Sequence, residues 1–428
     1  MKAVLSHRIY LECTKEYRDF LNEELTYIIP AYNPEDPPQV IKNMARIREN
    51  LVTIPIGRVD LIPEDYEIVD KRVLLPENYP KFRFPLRPSQ QEIFDSVDGN
   101  CIINATPSWG KTFTGLSIAG KLAQKTLVVC HTVPLRNQWE REIKKVFGIT
   151  AGVIGSGKFE TDAPIVVGNV QTLTRNIEKI KKMFGTLILD EFHHVSAKTF
   201  AKVVDSNYAR YKLGLSATSE RKDGKHVVFQ DYFGHTLYKP PMENCMTPSV
   251  HIIKTDIRFP DGANIPWANK VTMLCENEEY QHLIAMLAAT YAAKGHKVLC
   301  VAQRVQFLLK CAELVGEKAI AITGQIKDFE EREGLIKDVV DGVYEILFGT
   351  QSIFAEGISI NPIGVLLLAT PISNDPLLNQ LIGRIIREFP GKLPPVIVDV
   401  HFRGNTARRQ QTQRIGYYMK QGYSIKQF

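Results

Sequence analysis

The chain has 428 residues, of which 44% are hydrophobic and 23% charged, and its formal net charge is +6. It is too long for one ordinary domain, ample for buried cores, and unlike a disordered, collagenous or disulfide-stapled chain. The seven cysteines (Cys13, Cys101, Cys130, Cys245, Cys275, Cys300, Cys311) include no C-x-x-C pair and mostly sit in apolar runs, which argues for a reducing compartment and against a zinc framework.

In chain order, residues 1–82 form a mixed segment. Ser6, His7 and Arg8 break any signal-peptide core, and no stretch approaches the roughly 18 unbroken apolar residues of a membrane span. A cytoplasmic protein with no membrane partner is expected. Ile9–Cys13 reads as a strand and Lys15–Ile29 as a helix; beyond a Pro-rich break, Val52–Leu61 reads as an alternating strand. This predicts a small α+β domain. Its acidic side chains outnumber its basic ones, so it is a poor general phosphate binder.

From 83 to 240, short apolar strands alternate with helices. The strands are Cys101–Ala105, Thr126–His131, Ile165–Gly168, Thr186–Leu189 and Lys212–Ser216; Lys111–Gln124 and Leu135–Phe147 are among the helices. Continuous β-branched runs separated by helices give a parallel sheet covered on both faces. The Pro-rich stretch Lys239–Trp267 reads as linker and domain edge. Within 241–428 the alternation resumes, with helix Pro376–Ile386 near its end. No acidic residue follows Asp399, whereas Arg403, Arg408, Arg409, Arg414, Lys420 and Lys426 do. A solvated terminal helix and a polyanion-binding tail both fit this pattern.

Ala105-Thr106-Pro107-Ser108-Trp109-Gly110-Lys111-Thr112 follows a strand and opens a helix, the setting that a phosphate loop requires. Its backbone N–H groups would cradle the phosphates of ATP, Lys111 would reach the outer pair, and the Thr112 hydroxyl would ligate Mg2+. Ala105 stands where the pattern has a glycine. In Thr186-Leu-Ile-Leu-Asp190-Glu191-Phe192-His193 an apolar strand delivers two carboxylates to its C-terminal edge. Asp190 would hold Mg2+ through water and Glu191 would activate the attacking water. The bland alternative, an acidic strand end capping the next helix, loses ground beside a phosphate loop. His193 and His194 are adjacent and would not converge on one ion.

With these anchors, the chain from about Phe82 to His401 resembles the superfamily 2 helicases of the DExH type. The resemblance implies two tandem RecA-like domains with parallel sheets (83–240 and 241–428) behind the small N-terminal domain. It implies that Arg87-Pro88-Ser89-Gln90 reads adenine, the Gln90 amide offering one donor and one acceptor. Ser216-Ala217-Thr218, with His193, would couple ATP state to nucleic-acid grip. Pro134-Leu135-Arg136-Asn137-Gln138 and Val170-Gln171-Thr172 would touch the phosphate backbone of one strand. In the second domain Arg304 and Thr350-Gln351 would join that grip, and Gly357 of Glu356-Gly-Ile-Ser-Ile360 would reach ATP. In Gln380-Leu-Ile-Gly383-Arg384-Ile-Ile-Arg387 the arginines, at i and i+3 on one helix face, would act as arginine fingers across the interdomain cleft beside Gln380. A solvated basic face is the alternative.

The wording of Gly214–Gly224 and Glu356–Ile360 is most similar to the compact phage recombination helicases of the UvsW type, the branch-migration helicases of T5-like phages among them. That likeness implies a monomeric motor using ATP and Mg2+ on branched DNA, tracking along a single strand, with replication or recombination proteins as further partners. An RNA helicase, or an ATP-gated clamp that anneals without separating strands, stays open because the ATPase motifs do not report the sugar.

Overall fold

A computed structural model describes the whole chain except residues 31–36, 108, 192–196, 218–227, 263, 327, 356–359 and 373. The chain divides into two compact units, Met1–Pro241 and Met242–Phe428.

The larger sheet of the N-terminal unit has eight strands. Across it run Lys158–Phe159, Gly152–Gly155, Ile165–Asn169, Thr126–Cys130, Thr186–Asp190, Tyr211–Ser216, Cys101–Asn104 and Leu237–Tyr238. All neighbours are parallel except the hairpin of the first two. Buried apolar side chains cover both faces. Val128, Ile188 and Leu213 pack with Trp109 and Trp139 on one, and Leu127, Leu187 and Leu189 with Phe184 and Phe233 on the other. This is the two-sided burial that the β-branched runs imply. It also sends every strand-to-helix loop of the parallel set to one edge.

Residues 1–82 belong to this same unit. Five strands, in the order Ala45–Arg48, Leu51–Pro55, Arg8–Glu12, Lys2–Leu5 and Glu67–Asp70, enclose a separate small core around Ile9, Leu21 and Ile54. The helix expected over Lys15–Ile29 stops at Glu24, and Thr26–Ile29 pairs instead with Gln39–Lys42. The β-branched and aromatic run Thr26-Tyr-Ile-Ile favours a strand over a further helical turn. The strand expected to reach Leu61 ends at Pro55, and Val59–Leu61 is a 3-10 turn.

Two charge clusters, one of them around a buried aspartate, link residues of this segment to the helices on the larger sheet. Asp231, fully buried, accepts from Tyr27 Oη at 2.8 Å and Asn43 Nδ2 at 2.5 Å and lies 3.7 Å from Arg58 Nη1. Arg8 pairs with Asp205 at 3.3 Å. A side-chain carbon at Gly57 would fall 2.2 Å from the Gln230 carbonyl, so only glycine permits this approach.

The C-terminal unit holds a seven-stranded, wholly parallel sheet in the order Ala319–Ile322, Ile346–Thr350, Lys297–Ala302, Ile363–Leu368, Val396–Arg403, Ser249–Arg258 and Ser424–Gln427. Two expectations change here. Lys239–Trp267 is no mere linker, because Ser249–Arg258 is a ten-residue strand beside Val396–Arg403. Nor is the basic tail simply a solvated helix. Asn405–Lys420 is a helix whose Arg414 is buried against Asp399, and Ser424–Gln427 adds an edge strand. Arg408, Arg409, Lys420 and Lys426 remain exposed. Among the described residues, no helix is long and apolar enough to cross a membrane.

Candidate ATP and nucleic-acid site

The phosphate loop leaves strand Cys101–Asn104 and enters helix Lys111–Leu122 through Gly110, whose φ of 94° is left-handed. A side chain at Gly110 would meet Gln90 Nε2 at 2.7 Å, which explains that glycine. Ala105 is not among the positive-φ residues, so its methyl group carries no conformational cost. Its N–H donates to the Ser216 carbonyl at 3.1 Å and its carbonyl accepts from Lys111 Nζ at 3.0 Å.

Arg87 and Gln90 grip this loop from behind. The Gln90 amide oxygen accepts from Arg87 N at 3.0 Å while its Nε2 donates to the Trp109 carbonyl at 2.9 Å, and an Arg87 Nη2–H donates to the same carbonyl. Each end of the amide retains one further hydrogen-bonding position. Trp109 is wholly buried, with its indole N–H donating to Ser89 Oγ at 2.9 Å, so it offers main chain rather than ring to a ligand. Thr106 Oγ1 is buried and finds no partner among the described residues.

Two strands away, Asp190 ends strand Thr186–Asp190. Burial, aided by the neighbouring Glu191 charge, pushes its carboxyl up to about 6 despite the opposing Trp139 hydrogen bond and Lys111 charge. Glu191 has a left-handed φ of 46°, strain of a kind that collects at functional sites. That backbone brings its carboxylate 3.9 Å from Lys111 Nζ and lets it accept from Ala217 N at 3.4 Å. Lys111, Asp190, Glu191, Ser216 and Ala217 thus meet at one strand edge. A buried carboxylate, an orphaned hydroxyl, a lysine and a helix N-terminus fit a magnesium nucleotide: Asp190 and Thr112 would hold the ion, which would neutralise phosphate charge.

The remaining N-terminal candidates lie on the same edge. Helix Val133–Phe147 follows strand Thr126–Cys130, and helix Val170–Arg175 follows its parallel neighbour Ile165–Asn169. Pro134 and Gln171 are exposed, Gln138 and Thr172 partly so. Leu135 is in the core and its N–H goes to Thr132 Oγ1 at 3.4 Å. Arg136 is buried, donating to Asn169 Oδ1 and Ser156 Oγ at 3.0 Å each and to Glu140 at 3.1 Å.

In the C-terminal unit, Arg304 precedes helix Val305–Val315 and donates to Thr272 Oγ1 at 2.9 Å and the Ala268 carbonyl at 2.7 Å. Thr350 ends its strand. Gln351 is buried, with Nε2 donating to Thr370 Oγ1 at 2.9 Å. Gln380 is buried on helix Asp375–Ile385, and Arg384 Nε donates to the Phe354 carbonyl at 3.0 Å. Arg387 departs from expectation. The helix has ended, and the chain pairs in extended form with Cys245 while Arg387 Nη1 donates to Asn361 Oδ1 at 3.3 Å. Pro390, which cannot continue a helix, follows closely. Ser108, His193, Thr218 and Gly357 lie outside the described residues.

Trp139 belongs to none of the sequence motifs. Its fully buried indole donates to Asp190 Oδ2 at 2.6 Å, and only its position one turn past Leu135 on an apolar face could have signalled it.

The chain matches the family model described as type III restriction enzyme, res subunit, over residues 83–221, and the helicase conserved C-terminal domain over residues 278–388. It is 37% identical over 429 residues to the probable helicase D10 of Escherichia phage T5, covering 99% of this chain and 95% of that protein. With the ATP-dependent DNA helicase uvsW of Enterobacteria phage T4 it shares 24% identity over 338 residues, covering 71% and 65%. A structure of Saccharomyces cerevisiae Dbp5 bound to RNA and ADP BeF3 matches with a TM-score of 0.57 at 12% identity over 79% of this chain and 88% of that one, a likeness of fold.

Proposed function

The chain belongs to the superfamily 2 helicases, and on that premise we propose that this ATP-dependent helicase works on branched DNA: forks, D-loops and four-way junctions. The observation that supports a motor is the shared strand edge. The nucleotide candidates after Asn104, Asp190 and Ser216 and the N-termini of the two helices after Cys130 and Asn169 all occupy it. Helix N-termini carry unpaired N–H groups and partial positive charge, which suit a phosphate backbone. The likeness to a DNA helicase over 71% of the chain supports DNA, but a putative ATP-dependent RNA helicase of Acanthamoeba polyphaga mimivirus matches 80% of it at 26% identity, so the choice between the two falls to the substrate assay.

In this reading Lys111 and the backbone of Thr106–Gly110 bind the phosphates, Glu191 positions and deprotonates water, and Arg384 and Arg387 stabilise the charge of the transferring phosphoryl. Arg87 and Gln90 hold the phosphate loop and present their remaining hydrogen-bonding positions to adenine. Pro134, Gln138, Gln171 and Thr172 meet one strand, joined by Arg304 and Thr350. Leu135 and Gln351 brace those contacts from within. The chain has three functional parts, 1–82, 83–240 and 241–428, the first recognising the junction. Lys42, Arg46 and Arg48 are exposed on it, the last two on the edge strand Ala45–Arg48.

The test measures ATPase stimulation of the full chain by single-stranded DNA, duplex, fork, four-way junction and RNA. Strongest stimulation by forks or junctions is expected. RNA as the sole activator would overturn the DNA reading, and stimulation without strand displacement would make the protein a clamp. Replacing Lys42, Arg46 and Arg48 together by alanine should abolish junction preference while single-strand stimulation persists. Deleting 1–82 is a poorer test, because it strips Asp231 and Asp205 of their partners Tyr27 and Arg8.

A further inference from the structure

Nucleic-acid-stimulated turnover needs a physical link between the strand contacts and the nucleotide chemistry. The N-terminal unit contains one, built on helix Val133–Phe147. At its exposed N-terminus are Pro134 and Gln138. One turn past Leu135, Trp139 lies fully buried, and its indole N–H donates to Asp190 Oδ2 at 2.6 Å. Among the described residues Trp139 is the hydrogen-bond donor to Asp190. Between these points Arg136 donates to Asn169 Oδ1, at the N-cap of helix Val170–Arg175. Both helices offered to a phosphate backbone are therefore tied together, and the first is tied to the carboxylate offered to Mg2+.

We propose that Trp139 is the positioning residue that couples strand engagement to the nucleotide site, by setting the orientation of Asp190 through its indole N–H. The proposal rests on the reading that the N-terminus of helix Val133–Phe147 touches nucleic acid. A hydrogen bond to an ionised carboxylate is strong and directional, and burial removes the water that would replace it. The ring cannot absorb a helix shift without passing it on. It belongs to the close-packed core that also holds Leu116, Ile118 and Ala119 of helix Lys111–Leu122. Sub-ångström movement of such a packed element changes hydrogen-bond geometry rather than being lost in slack. By linkage, whatever strand binding does to Asp190 through this bond, nucleotide binding at Asp190 does to strand affinity.

The experiment measures binding of a fluorescein-labelled single-stranded DNA to the full chain, with and without Mg2+ and a non-hydrolysable ATP analogue. The wild type should show a nucleotide-dependent change in DNA affinity, of the ~5–150-fold size usual for coupled sites. Trp139→Phe keeps an apolar ring but lacks the donor. It should bind DNA alone within about three-fold of wild type, while the coupling factor falls to near 1 whatever its nucleotide affinity. Coupling retained in folded Trp139→Phe overturns the proposal. Should that variant fail to fold, the β-(3-benzothienyl)alanine analogue at position 139 preserves ring size and removes only the N–H, with the same two outcomes. Gln138→Ala tests the underlying reading separately. If it leaves DNA affinity unchanged while Trp139→Phe abolishes coupling, the helix end is misassigned but the link stands.

Discussion

Asp190 in the N-terminal unit and Asp399 in the C-terminal unit are both buried carboxylates on parallel strands, 4% and 0% exposed, and the fold treats them in opposite ways. Burial raises both. For Asp399 the Arg414 guanidinium overturns this, donating at 2.8 and 2.7 Å, with Tyr418 Oη at 3.1 Å, and the carboxyl is held well below its ordinary range. Asp190 has only the neutral Trp139 indole as donor among the described residues and rises to about 6. An ion pair with its hydrogen bonds filled is scaffolding. A buried carboxylate that stays raised despite the nearby Lys111 charge is what a place for an incoming cation would require.

The widest separation should come from removing each charge. Asp399→Asn leaves Arg414 buried and unpaired and should cost about 3–5 kcal/mol of stability, read as a lowered denaturant midpoint. Asp190→Asn should leave the midpoint unchanged or raised while ATP turnover is lost. Equal destabilisation by both substitutions would erase the distinction and return Asp190 to a structural role.

What was legible in the sequence follows the same division. The phosphate loop and the Asp190–Glu191 strand end could be read because their constraints are local: a strand, a turn at Gly110, a helix N-terminus. The contacts that bring them together could not. Trp139 and Asp190 are brought together only by tertiary packing, as are Tyr27 and Asp231, and neither residue type advertises its partner. Strand Ser249–Arg258 was hidden by the prolines at 240, 241, 248 and 260, which read as linker although they only bracket the strand. Spacing alone puts Arg387 on the helix, because it does not show where a helix stops.

The arginines of the second unit give the next largest effect and test the contrast in reverse, as charges expected to act on a ligand rather than on the core. Arg384→Ala and Arg387→Ala should each lower kcat on the order of 10³-fold, the lower range for loss of an arginine finger. The KM for ATP should move far less, since such a contact operates mainly in the transition state. A defect confined to KM would assign these residues to ground-state binding. Arg387, carried past the helix by the strand-like pairing with Cys245, is the sharper case.

Lys212 supplies the smallest effect and the strictest test of whether an uncompensated buried charge implies function. It lies near the start of strand Tyr211–Ser216, whose other end reaches the candidate nucleotide site, and Nζ has no hydrogen-bond partner among the described residues. Burial lowers its pKa to about 7, only partly opposed by the Asp205 charge. Because the folded value lies below the unfolded one near 10.5, the folded state binds fewer protons between pH 7 and 10.5, and stability rises with pH through that window. Below pH 7 the lysine is charged in both states and the full burial penalty applies. Lys212→Met should therefore raise the denaturant midpoint most at pH 7 and below, by a margin that shrinks as the pH approaches 10, with ATPase activity retained. A margin independent of pH would mean that the lysine is solvated in the native state. Loss of activity with a raised midpoint would give Lys212 a place beside Asp190, as a buried charge kept for what it does.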